Sequence, residues 1–164
     1  MLVRNATLED LPKIVEIYNT TIASRIVTAD INLVTIEEKT NWFQQHLPES
    51  RPLWLIEDVN NIIGWCSFQD FYGRPAYSGT AEISIYIDEA FRKKGYGKKI
   101  LSHAISQCNN LKINTLLGFI FEKNAASLQL FLSMGFKEWG NLHEVAIIDG
   151  EHISLKILGK KINQ

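Results

Sequence analysis

"ISIYIDEAFRKKGYGKKIL", residues 83–101, decides how the rest of the chain is read. With the preceding Glu82, its first half alternates as a strand, Ile83, Ile85 and Ile87 on one face and Glu82, Ser84 and Tyr86 on the other. Its second half turns helical, and Ile100, Leu101, Ala104, Ile105 and Cys108 recur at helical spacing. Between the two stand Gly95 and Gly97, one residue apart, among five cations: Arg92, Lys93, Lys94, Lys98 and Lys99. A strand-to-helix turn is where the free N–H groups and the dipole of a helix start favour an anion. Glycines there remove side chains that would hold a phosphate off the backbone. A solvated basic turn would account for the charge but not for the glycines. The spacing is not that of a P-loop, and no third glycine completes a dinucleotide fingerprint.

Outward from this stretch, the 164 residues fit one domain, 1–164, with 46% hydrophobic and 21% charged content. A net charge of -1 offers no global field for nucleic acid or a membrane surface, so any anion site must be local. "MLVRNATLEDLPKIVEIY" lacks a signal-peptide core, and no apolar run reaches membrane-spanning length. A cytoplasmic protein is expected, with Cys66 and Cys108 reduced and buried. Thr7 with Asp10, and Thr35 with Glu38, resemble capping boxes opening two helices. The first carries Leu11, Ile14, Val15, Tyr18 and Ile22 on one side; the second carries Trp42, Phe43 and Leu47. "LWLIED" and "IIGWCSFQDF" read as a hairpin, "TLLGFIF" as a fifth strand, and "NAASLQLFLSM" as a helix capped by Asn124. "HEVAII-DG-EHISLKIL" reads as a closing hairpin. The order β-α-α-β-β-β-α-β-α-β-β predicts an α/β (α+β) fold built on a single mixed sheet flanked by helices.

"ISIYIDEAFRKKGYGKKIL" resembles motif A of the GNAT N-acetyltransferases, whose R/Q-x-x-G-x-G/A turn holds the coenzyme A pyrophosphate. "NAASLQLFLSMGF" resembles the family's N-x-x-A-x-x-L-Y-x-x-x-GF segment at its usual distance, and the element order matches too. Over nearly the whole chain, "RNATLEDLPKIVEIYN", "FYGRPAYSGTAEISIYI" and "NAASLQLFLSMGF" are similar to the phosphinothricin and methionine sulfone acetyltransferase branch. The resemblance implies a mostly antiparallel sheet, acetyl-CoA as cosubstrate, no metal, and acetylation of the amine of a small amino acid or analogue.

Residue by residue, it implies that Arg92, Lys93, Lys94, Gly95, Tyr96, Gly97 and Lys98 bind coenzyme A, its pyrophosphate on the turn and its 3′-phosphate near the lysines. Backbone groups of Ile85, Tyr86 and Ile87 would pair with the pantetheine arm, the Ile85 N–H donating to the thioester oxygen. Asn124 and Ser127 would lie on the coenzyme side. Glu82, a lone carboxylate on an apolar strand, would be the base that takes the proton of the acceptor ammonium, directly or through water. Arg74 and Tyr77 would bind substrate, Arg74 through its planar fork on a carboxylate.

The sequence departs from the pattern at Phe131, where many relatives carry tyrosine or histidine. Phenylalanine donates no proton, so the thiolate leaves without a dedicated acid, or Ser127 or a water serves. His152 and Ser154 stand where the branch has tryptophan and aspartate. Two other readings remain open: a protein N-terminal or lysine acetyltransferase, and a coenzyme A-binding module without catalysis. A homodimer is left open as well.

Overall fold

The computed structural model describes residues 1–59 and 61–162. Among these residues, seven strands and four α-helices follow in the expected order. They are β1 (Leu2–Asn5), α1 (Leu11–Ile22), α2 (Ile36–Gln44), β2 (Leu53–Asp58), β3 (Asn61–Asp70), β4 (Thr80–Ile87), α3 (Tyr96–Gln107), β5 (Thr115–Phe121), α4 (Ala125–Ser133), β6 (Lys137–Ile148) and β7 (Glu151–Lys161). The strands form one sheet in the order β1-β2-β3-β4-β5-β7-β6. Every neighbouring pair is antiparallel except β4–β5, whose connection runs through α3 and is parallel.

The local signals act as their chemistry requires. Thr35 accepts from the Glu38 N–H at 3.2 Å while the Glu38 carboxylate takes the Thr35 N–H at 2.7 Å, and α2 starts there. At the first helix, Asp10 binds the Thr7 N–H at 2.7 Å and caps a short 3-10 turn that leads into α1. The same carboxylate receives the fork of Arg4 at 2.7 and 2.9 Å, which ties β1 to α1 and holds the Asp10 carboxyl down to about 2. Asp149 and Gly150, both at positive φ, form the closing turn between β6 and β7.

The alternation of β4 divides the interior. Ile83, Ile85 and Ile87 pack into a core with Ile100, Leu101 and Ala104 of α3 and with Phe131 and Phe136 around α4. On the other face, Leu11, Ile14, Ile17 and Tyr18 of α1 cover Leu55 and Trp65 of the sheet, with Trp42 and Phe43 of α2 packed alongside. Both cysteines are buried free thiols, and burial pushes the Cys108 thiol up to about 11.

Two expectations change. Leu47 does not join the apolar side of α2: the helix ends at Gln44, and Leu47 bridges to Arg51 with its side chain exposed. The strand before the last turn begins at Lys137, well before His143, because two register shifts against β7 absorb the break at Gly140 and the stretch after Leu142.

Candidate active site

β4 and β5 pair over only three positions, Thr80–Thr115, Ala81–Leu116 and Glu82–Leu117. Beyond Glu82 the two strands part, so the open side of β4 has no strand beside it. Which backbone groups face that gap follows from the register. Asp88 N–H donates to Ile63 O at 2.9 Å, and β4 pairs with β3 without a bulge. Strand periodicity then turns the backbone of Glu82, Ser84 and Tyr86 toward β3 and that of Ile85 and Ile87 into the gap. The expectation that Tyr86 offers its backbone to a ligand is therefore corrected: β3 takes that backbone, opposite Trp65, and Tyr86 reaches the site with its side chain instead.

That side chain lies on the cavity face. Three cross-strand pairs, Trp65–Tyr86, Ser67–Ser84 and Gln69–Glu82, make the floor of a cavity of about 270 Å³. Ile14, Val15 and Tyr18 of α1 form one wall, and Lys39 and Trp42 of α2 the other. Trp65 and Tyr86 stack at 4.3 Å between centroids, and Tyr18 meets Tyr86 edge-on at 5.1 Å. Glu82 has no hydrogen-bond partner among the described residues, and burial alone raises its carboxyl above the ordinary carboxylate range. A carboxylate that holds its proton more tightly is a better base near neutrality.

The glycine turn lies where the gap meets α3. Gly95 is the residue before the first turn of α3, at φ 81, and Lys93 sits at φ 60, so two left-handed residues fold the chain back on itself. Thr35 and Asn124 cap α2 and α4 with their side chains, whereas no side chain caps α3, which leaves its first N–H groups open to an anion. The two glycines do different work. A Cβ on Gly95 would meet nothing within 4 Å. A Cβ on Gly97 would lie 3.0 Å from Leu130 Cδ2 and 3.7 Å from Ile87 Cδ1. Gly97 thus allows α3 to pack closely on α4 and β4, a reason that motif spacing does not show.

The basic residues also divide. Arg92 turns away from the turn, giving Nε to Ile87 O at 3.0 Å and Nη2 to Thr20 Oγ1 at 3.2 Å. Lys94 lies over the Phe91 ring, and the Tyr96 hydroxyl donates to Asp58 at 2.5 Å. Lys98 lines a surface recess with Gly95, Lys99, Ser102 and His103. Asn124 Oδ1 accepts from the Ser127 N–H at 3.2 Å, and its amide nitrogen has no acceptor among the described residues. The Phe131 ring is buried and covers Gly118, whose Cβ would come within 2.6 Å of it.

Arg74 and Tyr77 are not brought to Glu82. Pro75 opens a 3-10 turn, Pro75–Tyr77, and the rings of Phe71, Tyr72 and Tyr77 cluster in tilted and edge-on contacts. This folds the β3–β4 loop over a separate recess shared with Arg51, Lys112 and Asn114. Tyr18, Lys39, Trp42 and Trp65, which do face Glu82, were not among the expected site residues. Trp42 and Tyr18 read from sequence as core, and Lys39 is one charge within "EEK".

The sequence profile of the acetyltransferase (GNAT) domain matches residues 3–156. The chain belongs to the GNAT acetyltransferase family. It is 51% identical, over 99% of its length and 100% of the relative's, to YwnH of Bacillus subtilis, which is provisionally named a phosphinothricin acetyltransferase. It is 25% identical, over 100% of its length and 96% of the relative's, to an L-methionine sulfoximine/L-methionine sulfone acetyltransferase of Salmonella typhimurium. Among solved structures, a Salmonella typhimurium protein provisionally named an acetyltransferase, with its cofactor acetyl-CoA, superimposes with a TM-score of 0.91 at 25% identity, covering 100% of this chain and 95% of that one. The GNAT family supplies an acetyl-CoA-dependent transferase activity, and the fold described above is that of its members. No described helix is long and apolar enough to cross a membrane.

Proposed function

We propose that this GNAT enzyme moves the acetyl group of acetyl-CoA to the α-amine of a small amino acid or analogue, of the phosphinothricin and methionine sulfone kind. The observation that carries this reading is Glu82: an unpartnered, desolvated carboxylate in a cavity of about 270 Å³ beside the gap between β4 and β5. A cavity of that size, walled by α1 and α2, suits a small molecule rather than a protein chain, which needs an open groove.

The residues present fit the coenzyme. The open start of α3, with N–H groups from Gly95 to Lys98, suits its pyrophosphate, with Lys93, Lys94 and Lys98 at the rim. The gap-facing backbone of Ile85 and Ile87 suits its pantetheine arm, although Ile87 O already accepts from Arg92. The free Asn124 amide and Ser127 stand at the start of α4 and would add polar groups to the coenzyme site. When bound, the coenzyme supplies an activated acetyl group. Glu82 accepts the ammonium proton, which frees the nitrogen lone pair to attack, and the Ile85 N–H donates to the oxygen on which negative charge develops. Phe131 supplies no proton; its ring closes the core beneath Gly118.

The test is turnover by Glu82→Gln with methionine sulfone and acetyl-CoA, read as released thiol. A fall of about 10²- to 10⁴-fold, partly recovered at high pH where more amine is already neutral, is expected of a lost base. Parent-like turnover at neutral pH would reduce Glu82 to a strand residue.

A further inference from the structure

Glu82 gives the acceptor cavity a group for an ammonium, but a zwitterionic amino acid also brings a carboxylate. The residue expected to meet it, Arg74, lines a different recess. Among the described residues that line the cavity, one cation is present, Lys39 of α2. Its ammonium lies 4.7 Å from the Tyr18 ring centroid and 5.6 Å from that of Trp42, held over two aromatic faces. The nearest carboxylate oxygen is Asp30 Oδ2, at 3.9 Å, which already accepts the Tyr18 hydroxyl at 2.5 Å. A distance of 3.9 Å is too long for an N–H···O hydrogen bond, so Asp30 lies beside the ammonium without using its donors. The side chain is only 25% exposed. The cavity therefore has an anion on its floor, at Glu82, and a cation with free donors on its α2 wall.

We propose that Lys39 binds the α-carboxylate of the acceptor, making it the residue that selects amino acids over simple amines. This rests on the reading of the enzyme as an amino acid acetyltransferase. The substrate lies with its ammonium on Glu82 and its carboxylate on Lys39, and its side chain meets the aromatic wall of Tyr18, Trp42, Trp65 and Tyr86. The same cation repels polyamines and lysine side chains, which carry a second positive charge where the carboxylate should be.

The experiment compares methionine sulfone with its carboxamide, which keeps the amine and side chain and lacks the charge. In the parent, kcat/KM favours the acid by about 10- to 100-fold, the weight of a charge-assisted hydrogen bond to a ligand. In Lys39→Met that preference falls toward one, chiefly through a raised KM for the acid, and Lys39→Arg restores part of it. Arg74→Met keeps the parent's preference. Three results overturn the proposal: Lys39→Met lowering acid and amide alike, which marks a packing role on Tyr18 and Trp42; the preference surviving in Lys39→Met; or its loss in Arg74→Met instead. A parent that acetylates methionine sulfone leaves the amino acid reading standing through any of these. A parent that acetylates only amines without a carboxylate overturns that reading and the Lys39 assignment together.

Discussion

Replacing each turn glycine by alanine, one at a time, separates the two roles the structure gives them. At Gly95 the backbone sits at φ 81 and ψ 2, and a new Cβ meets open space. The whole cost is the left-handed conformation, about 1.5 kcal/mol for a residue with a Cβ, which in a chain of this length lowers Tm by about 3–6 °C. At Gly97 the backbone is helical, and alanine gains up to about 1 kcal/mol of helix propensity. Against that, its Cβ lies 3.0 Å from Leu130 Cδ2, the tip of a flexible side chain that gives by a few tenths of an ångström. The two effects nearly cancel, and Gly97→Ala is expected within about 0.5 kcal/mol of the parent. Gly97→Val forces a branched side chain into the same contact and is expected to cost about 1–3 kcal/mol, so it is a poor probe of the coenzyme alone. Urea unfolding of the free proteins gives these differences, and titration calorimetry with coenzyme A gives the binding consequence. Gly95→Ala disturbs the turn that presents the N–H groups of α3, and affinity should fall about tenfold, the worth of one hydrogen bond to a charged group. Gly97→Ala, whose Cβ faces the protein, should change affinity by less than about threefold. A Gly95→Ala protein as stable as the parent, or a Gly97→Ala protein that loses more than it, would refute the division.

Glu82→Gln should also change stability, in the opposite sense to activity. The folded carboxyl holds its proton more tightly than the unfolded one, so its contribution is present below the ordinary carboxylate range and is lost as pH rises through the raised value. The glutamine variant should therefore melt higher than the parent near neutral pH and equal to it near pH 4, checked by calorimetry at both. Asp10 has the reverse sign: Arg4 holds it down to about 2, so its stabilisation is present above the usual carboxylate range and disappears as pH falls through that value. Asp10→Ala loses the Arg4 fork and the Thr7 cap together, and urea unfolding at neutral pH should show a loss of about 2–3 kcal/mol; a loss under about 0.5 kcal/mol would make the network ornamental.

Much of this protein was determined by the sequence alone, because it depends on neighbours along the chain. The alternation of Glu82 to Ile87 decided which side chains face the α3 core and which face α1 and α2, since a strand has a period of two wherever it is placed. Thr35 with Glu38, and Asn124, marked helix starts because a cap satisfies N–H groups two or three residues away. The turn at Gly95 was legible for the same reason. Tertiary structure decided the rest. The end of β4–β5 pairing at Glu82 depends on where two strands distant in sequence diverge, and it leaves the Ile85 backbone without a strand beside it while Tyr86 stays paired with β3. The contact of Gly97 with Leu130 depends on how α3 crosses α4. Lys39 and Glu82 lie 43 positions apart, and no local rule links a lysine in "EEK" to a glutamate on a strand. Arg74 lies nearer to Glu82 in sequence, yet a proline-started turn and a cluster of three aromatics carry it to another recess. Spacing along a chain constrains direction and periodicity; which charges share one cavity is settled only when the helices close over the sheet.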